Sequence, residues 1–203
     1  MKKKKFLVTG GTGFIGSNIC ELLVKQGHAV KILDNNWRGN INKIKNFKKK
    51  IKFIKGDIRN KKLLSKAARN TDAIIHLAGN ATPNNAEKNP YKMMQDNIIS
   101  THKIVNCAPD GCRVILASSV IVYGDWLFEK DTRGFLRYKE DSFPKPTSIY
   151  GISKRASESL LEVYTNWKKI NGCALRLCAT VGSGVTHGVL KDFIRKVKSE
   201  ESH

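Results

Sequence analysis

Two hydrophobic patterns alternate along the chain. Short continuous apolar runs occur at 6–9, 29–33, 51–54, 73–77, 113–117 and 173–177, the length and composition of strands buried on both faces. Between them, apolar residues recur every three or four positions at 14–26 (through Ile15, Ile19, Leu22 and Leu23), 61–69, 90–107 and 150–167. That spacing predicts helices, and Gly27 stops the first of them. A shorter helix is predicted near 41–47, within the polar stretch 35–50, and 125–147 reads as a polar, proline-containing excursion. Strands alternating with helices predict βαβ units, hence an α/β fold with a parallel sheet covered on both faces. No internal repeat and no low-complexity linker interrupts the alternation.

The first strand breaks into Gly10-Gly11-Thr12-Gly13-Phe14-Ile15-Gly16 just before a helix, the context in which a glycine fingerprint has meaning. Gly10 permits the tight turn, Gly13 lets backbone approach a pyrophosphate, and Gly16 allows close helix–strand packing. The freed N–H groups and the positive helix end would then face phosphates. Asp34, at the end of the second strand, is placed to accept from a ribose 2′-hydroxyl and to repel a 2′-phosphate, which favours NAD over NADP. Asp57, after the third strand, is positioned for an adenine edge. Gly79 follows the fourth strand on the same sheet edge, while His76, ending that apolar strand, reads as a packed, hydrogen-bonded histidine.

A second constellation joins Ser118-Ser119, after the fifth strand, to Tyr150 and Lys154, four apart on one helical face. A phenol with a pKa near 10 is a poor base at neutral pH. The ammonium of Lys154 is expected to lower it. Lys154 can also hold ribose hydroxyls while Tyr150 exchanges a proton with a substrate hydroxyl that Ser119 orients. Alone, Tyr-x-x-x-Lys is common on surface helices; it gains weight here from the dinucleotide turn, the acid and the serine pair.

Composition narrows the partners. The 203 residues are 40% hydrophobic, enough for a real core. Lys+Arg number 37 against 17 Asp+Glu, a formal charge of +20 that attracts anions. The lysines form no arginine-rich or aromatic-interleaved stripe, so nucleic acid is not expected as the primary partner. Lys2 to Lys5 precede too short an apolar run for a signal core, and no stretch approaches a membrane span. Cys20, Cys107, Cys112, Cys173 and Cys178 form no CxxC pair. An odd count and wide spacing argue against disulfides and zinc, and apolar flanks predict buried thiols in a reducing, cytoplasmic compartment.

These residues carry a resemblance. TGGTGFIGSNI, LDNNWRGNINKI, GDIRN, HLAG, Ser118-Ser119-x-x-Val122-Tyr123-Gly124, YGISK and LRLCATVGSG resemble, in order, segments of the extended short-chain dehydrogenase/reductase family. The similarity is to its nucleotide-sugar epimerase/dehydratase branch, near the UDP-glucose 4-epimerases. It implies a Rossmann-type doubly wound sheet, bound NAD and a UDP-sugar substrate. It also implies a homodimer built from the helices at 90–107 and 150–167. By resemblance, Thr12 to Ile15 (Thr12, Gly13, Phe14, Ile15), Asp34, Asn35, Asp57, Ile58, Leu77, Ala78, Gly79 and Lys154 would contact NAD. Asn97 would lie near the cofactor, and Ser119, Tyr150 and Lys154 would be catalytic. Dehydratases of the branch have Thr-Asp-Glu where this chain has Ser119-Val120-Ile121, and decarboxylases need a carboxylate in the same neighbourhood. Both chemistries are therefore disfavoured against 4-epimerisation.

The chain also departs from the pattern. Ala179 stands where relatives have an asparagine that reaches the substrate, and Val181 where they have tyrosine. The segment between Gly124 and Tyr150 is longer than usual, and its Trp126, Phe128, Phe135 and Tyr138 would lie over the cleft or form a protein contact. A cofactor domain over 1–181 is expected, lacking the family's last strand, with 182–203 only beginning a substrate domain. Three readings stay open: a nucleotide-sugar epimerase, another oxidoreductase of the branch, and a truncated, non-catalytic NAD-binding protein.

Overall fold

The apolar runs become strands in chain order: β1 (Lys5–Thr9), β2 (Ala29–Asp34), β3 (Ile51–Lys55), β4 (Ala73–His76) and β5 (Arg113–Ser119). A short antiparallel pair follows, β6 (Glu129–Lys130) and β7 (Leu136–Arg137), and then β8 (Asn171–Leu177). The computed structural model describes residues 2–81, 86–124, 129–130, 136–137, 139–185 and 189–199. Trp126, Phe128, Phe135 and Tyr138 lie outside the described residues. The main sheet has six strands in the order β3-β2-β1-β4-β5-β8, all parallel, which is the doubly wound arrangement. Its strand order reverses between β1 and β4, where such sheets open a crevice at the carboxyl edge.

Neighbouring residues on one strand feed opposite cores. Leu7 joins Ile74, Val114 and Leu116 with Leu64, Ala67, Ile104, Val105 and Leu161, whereas Val8 joins Ile32 and Ile75 with Cys20, Leu23, Ile44 and Phe47. The first core is closed by α2 (Lys61–Ala68), α3 (90–107) and α4 (Ile149–Trp167), and the second by α1 (Phe14–Lys25). This is why the strands read as unbroken apolar runs.

Capping fixes where the helices begin. The side chain of Asn60 accepts from Leu63 N, that of Asn89 from Lys92 N with Pro90 in the first turn, and that of Ser148 from Gly151 N. α3 is continuous, but its middle, Gln95–Ile99, is a π-turn between Pro90–Met94 and Ser100–Cys107. The helix expected near 41–47 is a 3₁₀ turn, Ile41–Ile44, begun by Asn40. α5 (Val189–Lys198) leaves Phe193, Ile194 and Val197 exposed. No helix among the described residues is long and apolar enough to cross a membrane.

The thiols correct one expectation. Cys20 and Cys112 are buried and Cys107 is half-buried, but Cys173 and Cys178 are exposed. Cys173 lies beside Ile115 on the edge strand β8, on the sheet face shared with Val8 and Ile75 but outside the core that α1 covers there. Apolar flanks predict burial only where a second layer covers the strand.

Candidate active site

The glycine turn sits between β1 and α1 at the crevice. Gly10 has φ +72°, and a Cβ there would come within 2.8 Å of Ala78 N on the neighbouring connection. A Cβ on Gly16 would collide with the Gly10 carbonyl, so the first turn of α1 lies directly on the loop. α1 starts from Gly13 with no side-chain cap and no acid in its first turn. Its leading N–H groups therefore lack an intrahelical partner and carry the positive end of the helix dipole. Gly13, Phe14, Ile15 and Gly16 line a cavity of about 850 Å³, large enough for a drug-sized ligand or more.

Asp34, at the end of β2, lies against the glycine loop and is 7% exposed. Its Oδ2 accepts from Thr12 N (2.9 Å) and Thr12 Oγ1 (2.7 Å), and its Oδ1 from Asn36 N (2.8 Å). A carboxylate offers about four acceptor positions, so one remains for a ligand hydroxyl. Asp57 is held more tightly. Its oxygens accept from the Arg59 side chain at 2.9 and 2.6 Å and from Arg59 N at 2.8 Å. Hydrogen bonding to Arg59 is the largest influence and holds the Asp57 carboxyl below its ordinary range against the opposing effect of burial. Arg59 also reaches Asp96 (3.3 Å), which pairs with Lys92 (2.9 Å), whose ammonium stands 5.0 Å over the Trp37 ring.

On the floor, β5 runs two residues further than its apolar run, so Ser118 and Ser119 end the strand itself. Ser119 caps the 3₁₀ turn Val120–Tyr123 by accepting from Ile121 N (3.3 Å). Tyr150 and Lys154 project from the first turns of α4 and are 7% and 9% exposed. Lys154 Nζ donates to Ala117 O at 2.9 Å and lies 5.8 Å from the Tyr150 ring centroid. Burial takes the Lys154 ammonium down to about 8, against an opposing pull from Glu158. The Tyr150 phenol is raised above 10 by burial; a hydrogen bond with Ser119 and the charge of Arg38 oppose this without reversing it. The expectation that Lys154 would lower Tyr150 does not hold here. Tyr150 packs in an apolar pocket with Met93 and Ala86, and one of the three Lys154 N–H donors goes to a backbone carbonyl.

Every residue expected at the cofactor and catalytic positions lines this one cavity except Thr12 and Asn97, including Asn35, Ile58, Leu77, Ala78 and Gly79. Thr12 is fully buried beneath the loop, with its backbone and hydroxyl donors on Asp34. Asn97 sits in the π-turn of α3, where its Oδ1 accepts from Asn80 N (2.8 Å) and its Nδ2 donates to Asn80 O (3.0 Å) and Ser153 Oγ (2.9 Å). It braces the loop after β4 against α4 from behind the wall. His76 Nδ1 bonds Thr9 Oγ1 at 2.8 Å, and burial drives its pKa down to about 3, so it is neutral and packed. The wall also includes Arg38, Lys43 and Arg59, which lie within the quoted segments without being given a role there, and Lys92, which lies outside them. Their signal is only a cationic bias beside the β2 and β3 loops. Ala179 faces the same cavity.

An uncapped helix end for phosphates, a nearly saturated acid for a hydroxyl and a Ser–Tyr–Lys floor fit a dinucleotide lying across the sheet edge. The NAD dependent epimerase/dehydratase family matches residues 6–203. A UDP-glucose 4-epimerase of Neisseria meningitidis serogroup C is 37% identical over 167 residues, 78% of this chain and 47% of that protein. The crystal structure of UDP-glucose 4-epimerase from Brucella ovis in complex with NAD is similar at a TM-score of 0.75 and 28% identity, covering 85% of this chain and 51% of that one. A UDP-N-acetylglucosamine 4-epimerase from Methanobrevibacter ruminantium, solved with UDP-N-acetylmuramic acid, reaches 0.82 at 27% identity, covering 100% and 65%. The chain thus spans about half the length of the curated relatives it matches. Through its fold, its crevice and these likenesses together, the chain belongs to the NAD-dependent epimerase/dehydratase family of extended short-chain dehydrogenases/reductases.

Proposed function

We propose that this chain carries the cofactor and catalytic groups of an NAD-dependent 4-epimerase acting on a UDP-sugar. The observation that carries the reading is the floor of the cavity, where Ser119, Tyr150 and Lys154 converge, while the turn that follows Ser119 carries Val120 and Ile121 rather than acids. Among the described residues, the carboxylates on the wall are Asp34, Asp57 and Asp96, and each is engaged by neighbouring donors or cations. That favours epimerisation over elimination of water or loss of carbon dioxide, both of which need a further acid or base.

The glycine turn and the leading N–H groups of α1 would hold the pyrophosphate of NAD, Asp34 an adenosine ribose hydroxyl, and Lys154 the ribose on the nicotinamide side. When bound, NAD would supply a nicotinamide able to accept a hydride from the sugar C4 and give it back to the opposite face of the turned keto-sugar, and in its oxidised form would add positive charge to the cavity. Positive charge favours the tyrosinate. Tyr150 then accepts the 4-hydroxyl proton while Ser119 orients that hydroxyl, and the proton returns by the same path. Arg38, Lys43 and Lys92 give the wall a cationic bias suited to a second diphosphate.

The reading extends to assembly and location. α3 and α4 pack together and leave Tyr91, Met94, Ile152 and Trp167 exposed, an apolar surface suited to a homodimer. The free thiols suit the reducing cytoplasm. The test is interconversion of UDP-glucose and UDP-galactose by the purified chain supplied with NAD. Turnover with loss on Tyr150→Phe supports the reading. Action on other sugar nucleotides alone favours a different oxidoreductase of the family. NAD binding without turnover on any of them favours a non-catalytic role, which Ala179 on the substrate side would help explain.

A further inference from the structure

Behind the catalytic floor lies a charged group that the proposed reaction does not use. Tyr150, Lys154 and Glu158 follow one another at four-residue intervals and so share a face of α4. Glu158 is 5% exposed. Its Oε1 accepts from Ser118 Oγ (2.5 Å) and Arg176 Nε (3.1 Å), and its Oε2 from Arg176 Nη2 (3.0 Å) and Arg155 Nη1 (3.3 Å). Arg176, on β8, also donates to the Tyr123 hydroxyl (2.7 Å) and the Glu140 carbonyl (3.1 Å), with its guanidinium 4.7 Å over the Tyr123 ring. Tyr123 closes the turn that Ser119 begins. One carboxylate therefore links α4, the end of β5, β8 and the turn beneath the candidate site.

Stability alone is a weak reason to bury such a pair, since apolar replacements often serve as well. The position next to Lys154 gives a stronger one. Burial alone would raise the Glu158 carboxyl, but the bonds from Arg176 and Ser118 outweigh it and keep it below its ordinary value, hence ionised at neutral pH. The charged or titratable groups facing Lys154 are Glu158 on its own helix, His76 on β4, which stays neutral, and the ring of Tyr150. Those facing Glu158 are Lys154 and Arg155 on α4 and Arg176 on β8.

We propose that Glu158 is a positioning residue for this site: a fixed negative charge one helical turn from Lys154 that also sets, through Ser118 and Arg176, the strand end and turn presenting Ser119. Its bearing on turnover rests on the catalytic reading above; its effect on the Lys154 charge does not.

The test is NMR titration of the lysine side chains in the ligand-free chain, with Lys154 identified by its loss in Lys154→Met. Glu158→Gln keeps the shape and the acceptor but removes the charge, so the Lys154 midpoint falls by about one unit or more. Arg176→Gln leaves the anion less compensated, so the midpoint rises, and either variant alone suffices if the other does not fold. Folded variants whose Lys154 midpoint stays at the wild-type value overturn the proposal. In turnover assays, Glu158→Gln moves the alkaline limb of the kcat/KM profile to lower pH and Glu158→Asp restores part of it. A uniform loss at all pH values marks a purely structural residue. Should the wild type turn over no sugar nucleotide while both NMR shifts appear, the epimerase reading fails and the electrostatic role of Glu158 stands.

Discussion

Replacing Asp34 with alanine separates what this acid does for the protein from what it does for a ligand. The substitution removes the acceptor for Thr12 N, Thr12 Oγ1 and Asn36 N. The Thr12 hydroxyl retains Asn36 Oδ1 at 2.9 Å, but the Thr12 N–H is left in a fully buried residue. An orphaned buried donor costs about 1–3 kcal/mol, and losing a charge-assisted bond at the half-buried Asn36 adds about 1 kcal/mol. Asp34→Ala is therefore expected to lose about 2–4 kcal/mol of stability even without cofactor, and Asp34→Asn, which keeps one acceptor oxygen, clearly less. Urea denaturation of the ligand-free proteins measures this as a lowered midpoint with an unchanged slope, and calorimetric titration with NAD measures affinity separately. If Asp34→Ala binds NAD poorly yet unfolds within about 0.5 kcal/mol of wild type, the acid is not holding the glycine loop and the reasoning fails.

Other expectations follow from the same geometry. Gly16→Ala drives a methyl into the Gly10 carbonyl, which should destabilise the fold by about 1–3 kcal/mol and abolish NAD binding, read by thermal melts with and without NAD. Tyr150→Phe should lower kcat at least about 100-fold while leaving NAD affinity within about threefold, because the phenol moves a proton and holds no cofactor atom in this scheme. His76 sets an acid limit. Its folded pKa is depressed to about 3, so the unfolded chain takes up a proton near the ordinary value of 6.5 that the folded chain refuses. Stability should therefore fall as pH drops from about 6.5 toward 3, and a His76→Asn variant that folds should lose much of that slope in denaturation midpoints taken across the range.

What could be read from the chain depended on how local the cause was. Gly10 and Gly16 are legible because only glycine tolerates that turn, and Tyr150 with Lys154 because a helix brings residues four apart together. The inner strands were legible because both of their faces are covered, whereas the edge strand β8 shows the same apolar run with one face left open. Three features were not. β5 absorbs Ser118 and Ser119, polar residues that resemble the start of a loop, because Ser118 pairs with Glu158, forty positions away. The raised Tyr150 pKa depends on packing with Met93 and Ala86 from distant segments. Thr12 and Asn97 carry the residue types of ligand contacts, yet they spend their donors on Asp34 and Asn80 in the second layer.

The π-turn in α3 constrains how this protein can change length. A residue added to or removed from an α-helix rotates everything beyond it by about 100°. Upstream of Gln95–Ile99, Met93 packs against Tyr150, and downstream Ile104 and Val105 close the sheet, with Asn97 fixed to Asn80 between them. Deleting one residue there would regularise the hydrogen bonding and at the same time turn one end of the helix away from its partner. The wide turn thus acts as a phase correction between two halves of one helix, and single-residue deletions across 95–99 should be tolerated far less well than substitutions at the exposed Ile99.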